Sequence, residues 1–87
     1  MRLDNFISDL GIIKRRTIAK ELADGGHIKI NGHRAKPGQK VKPNDLIEIT
    51  GARPIVVRVK KLPEGKSVSR EMRSAYFEIL QGKEAVD

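Results

Sequence analysis

The spacing of apolar residues changes from helical to strand-like at the glycine pair Gly25-Gly26. Before the pair, apolar residues recur three and four positions apart, which is the spacing of one helical face. After the pair they alternate with polar residues, as in a half-buried strand. In a chain of 87 residues, this order predicts one α+β domain with its helices packed on one side of a small, mostly antiparallel sheet.

Two short helices are predicted before the glycine pair. The first rests on four apolar residues sharing one face and on a glycine suited to a left-handed cap, namely Leu3, Phe6, Ile7, Leu10 and Gly11. The second, over about residues 15–24, rests on Ile18, Ala19, Leu22 and Ala23. Both helices are therefore amphipathic and bury one stripe.

A hairpin and two further strands are predicted after the glycine pair. Ile28 and Ile30 flank Lys29, and Asn31-Gly32 favours a two-residue hairpin turn. For Asn31-Gly32 we prefer this structural role to a role in binding. Residues 46–49 and 55–59 are short apolar runs between turn signals and predict the next strands.

The C-terminal part predicts one more helix. Met72, Ala75, Tyr76 and Ile79 take helical spacing, with a serine cap at Ser67 or Ser69 and a stop at Gly82. We expect Tyr76 and Phe77 to face opposite ways, and the tail over 83–87 to fray. The predicted organisation is a domain over residues 1–61 and an extension over 62–87 with this helix.

Charge indicates a polyanionic partner. The chain carries 18 Lys and Arg against 11 Asp and Glu, a net charge of +7, with a pI near 10.1. Nucleic acid is the first expectation and an anionic membrane surface the second. Residues 67–87 hold 3 bases and 4 acids, so the C-terminal helix is expected to close the core or to dock a protein.

Composition excludes several classes of site. Without cysteine there is no disulfide, thiolate nucleophile or cysteine zinc site, and His27 and His33 are too few for a metal site. No glycine-rich nucleotide loop and no nucleophile paired with a base occurs, so we expect no catalytic residue, metal or cofactor. The N-terminus lacks a long apolar run, which predicts a soluble, cytoplasmic protein. The sequence also has no basic amphipathic helix with exposed large apolar residues, which counts against a membrane surface as the partner.

Basic residues cluster at the start of the second helix. Lys14, Arg15 and Arg16 are consecutive, Lys20 follows one turn later, and Arg2 is expected on the neighbouring helix. Arginine suits phosphate because its planar guanidinium binds two oxygens at once, and a helix N-terminus adds unpaired N–H groups. With three aromatic residues in the chain, phosphate and groove contacts are expected rather than base stacking. The alternative is an ordinary solvated helix start.

Several strings over about residues 1–50 resemble the S4-like RNA-binding domain, or alpha-L motif. They are Arg2-Leu3-Asp4, the segments over 16–22 and 26–32, Lys36-Pro37, Val41 and the segment over 44–49. The resemblance implies an RNA-binding face that includes the hairpin-flanking bases. With Lys14 from the basic cluster, the candidate residues are Arg2, Asp4, Lys14, Arg15, Arg16, Lys20, Lys29, Arg34 and Lys36.

Within that superfamily, the N-terminus, the basic cluster and the segment over 75–80 are most similar to stand-alone factors of ribosome-associated quality control. Their resemblance implies a non-enzymatic protein, monomeric when free, that binds large-subunit rRNA and peptidyl-tRNA on stalled large ribosomal subunits. It would hold the peptidyl-site tRNA while an RqcH-type tailing factor extends the nascent chain. The fifteen-kilodalton heat-shock proteins are similar too, so a recycling role and a protein adapter stay open as alternatives.

Three positions carry specific expectations. Asn44 stands where the family usually has glycine, and asparagine tolerates the left-handed turn. Arg15 replaces a serine, which removes a possible helix cap. Asp4 either orients Arg2 or Arg16 or favours the first helical turn through the helix dipole, and the sequence does not decide between these roles.

Overall fold

The computed structural model describes residues 1–51, 54–63 and 68–82. Two α-helices, α1 (Leu3–Asp9) and α2 (Arg16–Asp24), precede the strands β1 (Ile28–Ile30), β2 (His33–Arg34), β3 (Leu46–Ile49) and β4 (Ile55–Val59). A 3-10 helix (Arg70–Ala75) then leads into β5 (Phe77–Gly82). The predicted α+β fold, two helices on an antiparallel sheet, is confirmed. In the described ranges, no helix has the length and apolar character needed to cross a membrane.

The strands form one antiparallel sheet in the order β2-β1-β3-β4-β5. The β1–β2 turn has left-handed backbone at both central residues, Asn31 (φ 53°) and Gly32 (φ 84°), which is the type I′ geometry that its sequence predicts. Asn44 is also left-handed, at φ 75°. The turn therefore survives asparagine in place of glycine, as expected.

Neither α-helix has a side-chain cap at its N-terminus, and loop contacts hold the N-terminus of α1. The backbone N–H groups of Leu3 and Asp4 donate to the carbonyl oxygens of Gln39 (2.8 Å) and Pro37 (3.1 Å). These bonds satisfy donors that have no partner within a helix. Arg15 occupies the N-cap position of α2 without a side-chain cap bond, as the loss of serine predicts. The loop over 36–40 is thereby fixed against the start of α1.

The core lies between the helices and the inner face of the sheet. It is formed by α1, by the small residues of α2 and by alternating Ile and Val of β1, β3 and β4; its buried members include Leu3, Phe6, Ile7, Leu10, Ala19, Ala23, Ile28, Ile30, Ile47, Ile49, Val57 and Val59. Leu22 is partly buried against this cluster. Ile18, expected on the buried stripe of α2, is 37% exposed because the buried face of α2 is limited to its two alanines.

The predicted C-terminal helix is wrong. Residues 70–75 form a 3-10 helix, and the segment after it is strand β5, paired antiparallel with β4. Ser69 precedes the 3-10 helix without a side-chain cap bond, and Ser67 lies outside the described residues, as does the tail over 83–87.

Tertiary pairing explains the difference. Short apolar runs fit helix and strand alike, and here β4 offers an edge whose backbone groups need partners. Phe77 pairs with Val59, and Gly82 pairs with Ile55. Gly82 has φ 81°, and a Cβ there would collide with the Pro54 carbonyl oxygen, so the strand ends on a residue without a side chain.

Tyr76 and Phe77 are both buried, at 6% and 4% exposure, although the sequence predicted that they face opposite ways. Tyr76 ends the 3-10 helix and Phe77 begins β5, so a change of backbone direction between them lets both rings enter the core.

The boundary between a domain over residues 1–61 and an extension over 62–87 stays a prediction. Strand β5 pairs with β4 across it.

Phe77→Ala tests the position of β5. Removing a buried Phe side chain from a strand should lower the free energy of unfolding by about 3 to 5 kcal/mol. Urea unfolding followed by circular dichroism measures this change. The matched control is Glu78→Ala at the next, exposed position of the same strand, expected within about 0.5 kcal/mol of the parent. Equal stability of the two variants would contradict the assignment of β5 to the sheet.

Candidate nucleic-acid interface

A buried carboxylate lies at the centre of the candidate interface. Asp4, in the first turn of α1, is 1% exposed. Arg2 precedes the helix in extended conformation, and its side chain donates from Nε to Asp4 Oδ1 (3.1 Å) and from Nη2 to Oδ2 (3.0 Å). The Asn5 backbone N–H donates to Asp4 Oδ1 (2.8 Å). This two-bond geometry fixes the plane of the Arg2 guanidinium.

Arg16, at the start of α2, approaches the same carboxylate. Its Nε lies 3.7 Å from Asp4 Oδ2. The Arg2 and Arg16 side chains are 49% and 59% exposed, whereas Asp4 is enclosed. One carboxylate therefore holds two cations together, and their combined charge leaves a positive excess facing water. We call Arg2, Asp4 and Arg16 the arginine centre. Asp4 thus binds Arg2 through two hydrogen bonds, lies within ion-pair distance of Arg16 and belongs to the first turn of α1, so its position is compatible with both roles that the sequence leaves open.

The loop over 36–40 borders the arginine centre. Arg2 and Lys40 form an isolated antiparallel bridge, and the Val41 N–H donates to the Met1 carbonyl (2.8 Å). Because directly paired residues point to the same side, Lys40 projects beside Arg2. The exposed side chain of Lys36 belongs to the same loop. The loop thus adds cations to the surface that the helices begin.

Arg34 and Lys36 line a depression of about 420 Å³ with Ala23, Asp24 and Pro37. Arg34 Nη2 donates to the Asp24 carbonyl oxygen at 2.8 Å. This bond satisfies a carbonyl at the C-terminal end of α2, where a cation is favourable. Arg34 therefore has a structural partner as well as an exposed guanidinium.

The remaining candidates occupy different faces. Lys14 and Arg15 are exposed just before α2, and Lys20 is exposed one turn after Arg16. Lys29 lies between the two buried isoleucines of β1 and opposite Glu48 of β3, on the outer face of the sheet. The structure thus brings Arg2, Asp4 and Arg16 together beside the loop over 36–40, and it places Lys29 on the opposite, outer face of the sheet.

Lys40 and Lys42 are cations of this surface that the sequence analysis did not select. The sequence signal for these two residues is the alternation Lys40-Val41-Lys42. In the structure Val41 is buried and both lysines are exposed. Three residues are too few to distinguish that alternation from chance. Across the described part of the chain, no group of three or more His, Cys, Asp or Glu side chains is arranged to hold a metal ion.

Comparison with known proteins assigns the fold to a family. Residues 1–47 match the S4 domain family model. The chain is 42% identical to the RQC P-site tRNA stabilizing factor of Streptococcus pneumoniae, over 92% of this chain and 90% of that protein. It is 40% identical to the protein of the same name from Bacillus subtilis, over 93% of each chain. The chain therefore belongs to the S4 domain family and, within it, to the family of RQC P-site tRNA stabilizing factors.

Solved structures show the same fold. Heat shock protein 15 of Vibrio cholerae superposes with a TM-score of 0.79 at 22% identity, covering 91% of this chain and 80% of that one. The solution structure of hypothetical protein HP1423 gives a TM-score of 0.78 at 27% identity, covering 95% of this chain and all of that one. The fold match extends beyond residue 47, so it includes strands absent from the S4 domain match.

Asp4→Asn tests the arginine centre as a structural unit. The substitution removes the charge that two arginines share and weakens buried hydrogen bonds, so we expect a loss of about 1 to 2 kcal/mol in the free energy of unfolding. Urea unfolding measures this loss. The matched control is Asp9→Asn, which changes an exposed aspartate of the same helix, and we expect it to change the free energy of unfolding by about 0.5 kcal/mol or less.

A double-mutant cycle separates the two roles of Asp4. If Asp4 acts through Arg2, the effects of Asp4→Asn and Arg2→Ala will be less than additive. Full additivity would show that Asp4 stabilises only the helix start.

Proposed function

We propose that this protein is a non-enzymatic RNA-binding factor of ribosome-associated quality control. It binds large ribosomal subunits that carry peptidyl-tRNA, contacts rRNA and tRNA, and stabilises the tRNA in the peptidyl site. In this role it works in the cytoplasm, while an RqcH-type factor extends the nascent chain. The proposal concerns binding and positioning rather than chemistry.

The arginine centre is the observation that carries the RNA-binding part. Two half-exposed guanidinium groups lie at one buried carboxylate, and the Arg2 group is fixed there by two hydrogen bonds while Arg16 is 3.7 Å away. Such groups match phosphate oxygens with two bonds each and lose little conformational freedom on binding. Structured RNA is read mostly by shape and by phosphate and 2′-hydroxyl contacts, which this surface is suited to make.

The family supports the ribosomal part. Relatives named for stabilising P-site tRNA align along nearly their whole length, so the likeness includes the C-terminal strand as well as the S4 domain. The net charge of +7 fits a partner whose surface is polyphosphate. A role without catalysis is consistent with an S4 domain and these names.

Sedimentation tests the quality-control role. The tagged protein should co-sediment with large subunits that carry peptidyl-tRNA in preference to vacant subunits, because the proposed site is completed by tRNA. Quantitative detection of the protein in the two subunit fractions measures the preference. Equal occupancy would leave RNA binding standing and overturn the peptidyl-tRNA assignment.

Arg16→Gln tests the arginine centre in binding. Losing one phosphate contact should weaken binding to large subunits and reduce the slope of log affinity against log salt by about 0.7 to 0.9. A salt titration of binding measures the slope. Arg58→Gln is the matched control, since it removes the same charge from an exposed position on β4, and we expect a smaller effect there. Equal slopes for the two variants would mean that total charge, and not this centre, governs binding.

A further inference from the structure

A cationic groove lies between the hairpin turn and the loop that follows β2. It has a volume of about 480 Å³ and is lined by Ile30, Asn31, His33, Gln39, Lys40, Lys42 and Asp45. None of the three basic side chains in it, those of His33, Lys40 and Lys42, is among the residues predicted from the sequence to contact RNA. All three are exposed.

Hydrogen bonds and the buried Val41 fix the backbone that carries Lys40 and Lys42. Val41 between them is 1% exposed, and its N–H is bonded to the Met1 carbonyl (2.8 Å). The Lys42 backbone N–H donates to Asp45 Oδ2 at 2.8 Å. With the backbone fixed on both sides of Val41, Lys40 and Lys42 both project toward solvent. A preorganised pair of cations loses less entropy on binding an anion than a pair on a mobile loop.

The acid in the groove does not neutralise the lysines. Asp45 is 6% exposed, and its carboxylate accepts from the Lys42 backbone and from Asn31 Nδ2 (3.1 Å). The Asn31 side-chain oxygen accepts in turn from the Leu46 N–H (2.9 Å). Neither lysine ammonium takes part in an ion pair with any residue that the structure describes. With two lysines against one carboxylate, the groove keeps a net positive charge, and the Asn31–Asp45 hydrogen bond connects its two walls.

The groove continues the surface of the arginine centre. Lys40 lines the groove and is also the bridge partner of Arg2. A path of cations thus runs from Arg16 through Arg2 and Lys40 to Lys42. Phosphates recur along a nucleic-acid strand, so a ligand bound at one end of such a path presents further phosphates to the other.

We propose that this groove binds the phosphodiester backbone of the RNA strand held at the arginine centre, with Lys40 and Lys42 as phosphate ligands. His33 lies at the groove wall and offers a ring N–H to the same backbone. The proposal rests on the proposed function, because it extends that RNA-binding surface to a side of the hairpin that the sequence did not indicate.

The test compares two double variants that differ in charge. Lys40→Gln with Lys42→Gln removes both cations, whereas Lys40→Arg with Lys42→Arg keeps both. Binding to large subunits carrying peptidyl-tRNA is titrated with salt for the parent chain and both variants. We expect the Gln pair to lower the log-log slope by about 1.4 to 1.8, for two contacts, and the Arg pair to keep the parent slope.

Folding and the arginine centre are checked alongside. The circular dichroism spectrum and urea midpoint of the Gln pair should match those of the parent, because both side chains are exposed. Adding Arg16→Gln to the Gln pair should lower the slope by one further contact. This additivity is expected for separate contacts on one ligand.

The other outcomes separate the two proposals. An unchanged slope for the Gln pair, with a reduced slope for Arg16→Gln alone, would overturn the groove and leave the proposed function standing. Equal losses for the Gln and Arg pairs would also overturn the groove, because charge would then not be the cause. Binding of the parent chain without salt dependence would overturn the proposed function and, because the groove rests on it, the groove as well.

Discussion

A single buried carboxylate connects the parts of this molecule that matter for binding. Asp4 lies in the first turn of α1, and its backbone N–H donates to the Pro37 carbonyl oxygen of the loop over 36–40. Its side chain receives Arg2 from one side and Arg16, the first residue of α2, from the other. Burying a carboxylate is costly unless charge and hydrogen bonds compensate it. Two hydrogen bonds from Arg2, one from the Asn5 N–H and the charge of Arg16 compensate Asp4 here, and the same contacts leave two guanidinium groups together at the surface.

Local sequence signals predict the first fifty residues well because local chemistry decides their structure. The helical spacing over α1 and α2, the Asn31-Gly32 turn and the left-handed Asn44 all depend on near neighbours in the chain. The segment after residue 69 differs, because its apolar spacing suits a helix while its position beside β4 requires a strand. Pairing with a distant strand is a tertiary effect, and single-residue propensities do not contain it.

The candidate site was predicted in part for the same reasons. Arg2 and Arg16 belong to helix starts that the sequence defines, and the resemblance to S4-like domains selects both together with Asp4. Lys40 and Lys42 lie in a loop whose shape is set by contacts with Met1 and Asp45, and such contacts have no local signature. The assignment of these residues to RNA contacts stays a prediction; what the structure adds is which of the cations share a surface.

The account's central claim is that geometry, and not total charge, makes this surface bind RNA. The most direct measurement is the affinity of Asp4→Asn for large subunits carrying peptidyl-tRNA, compared with the parent chain at equal salt. Removing an acid makes the protein more positive, so bulk electrostatics alone would tighten binding. The account predicts weaker binding, because Arg2 and Arg16 lose the group that orients them. Tighter or unchanged binding by a folded Asp4→Asn protein would contradict it.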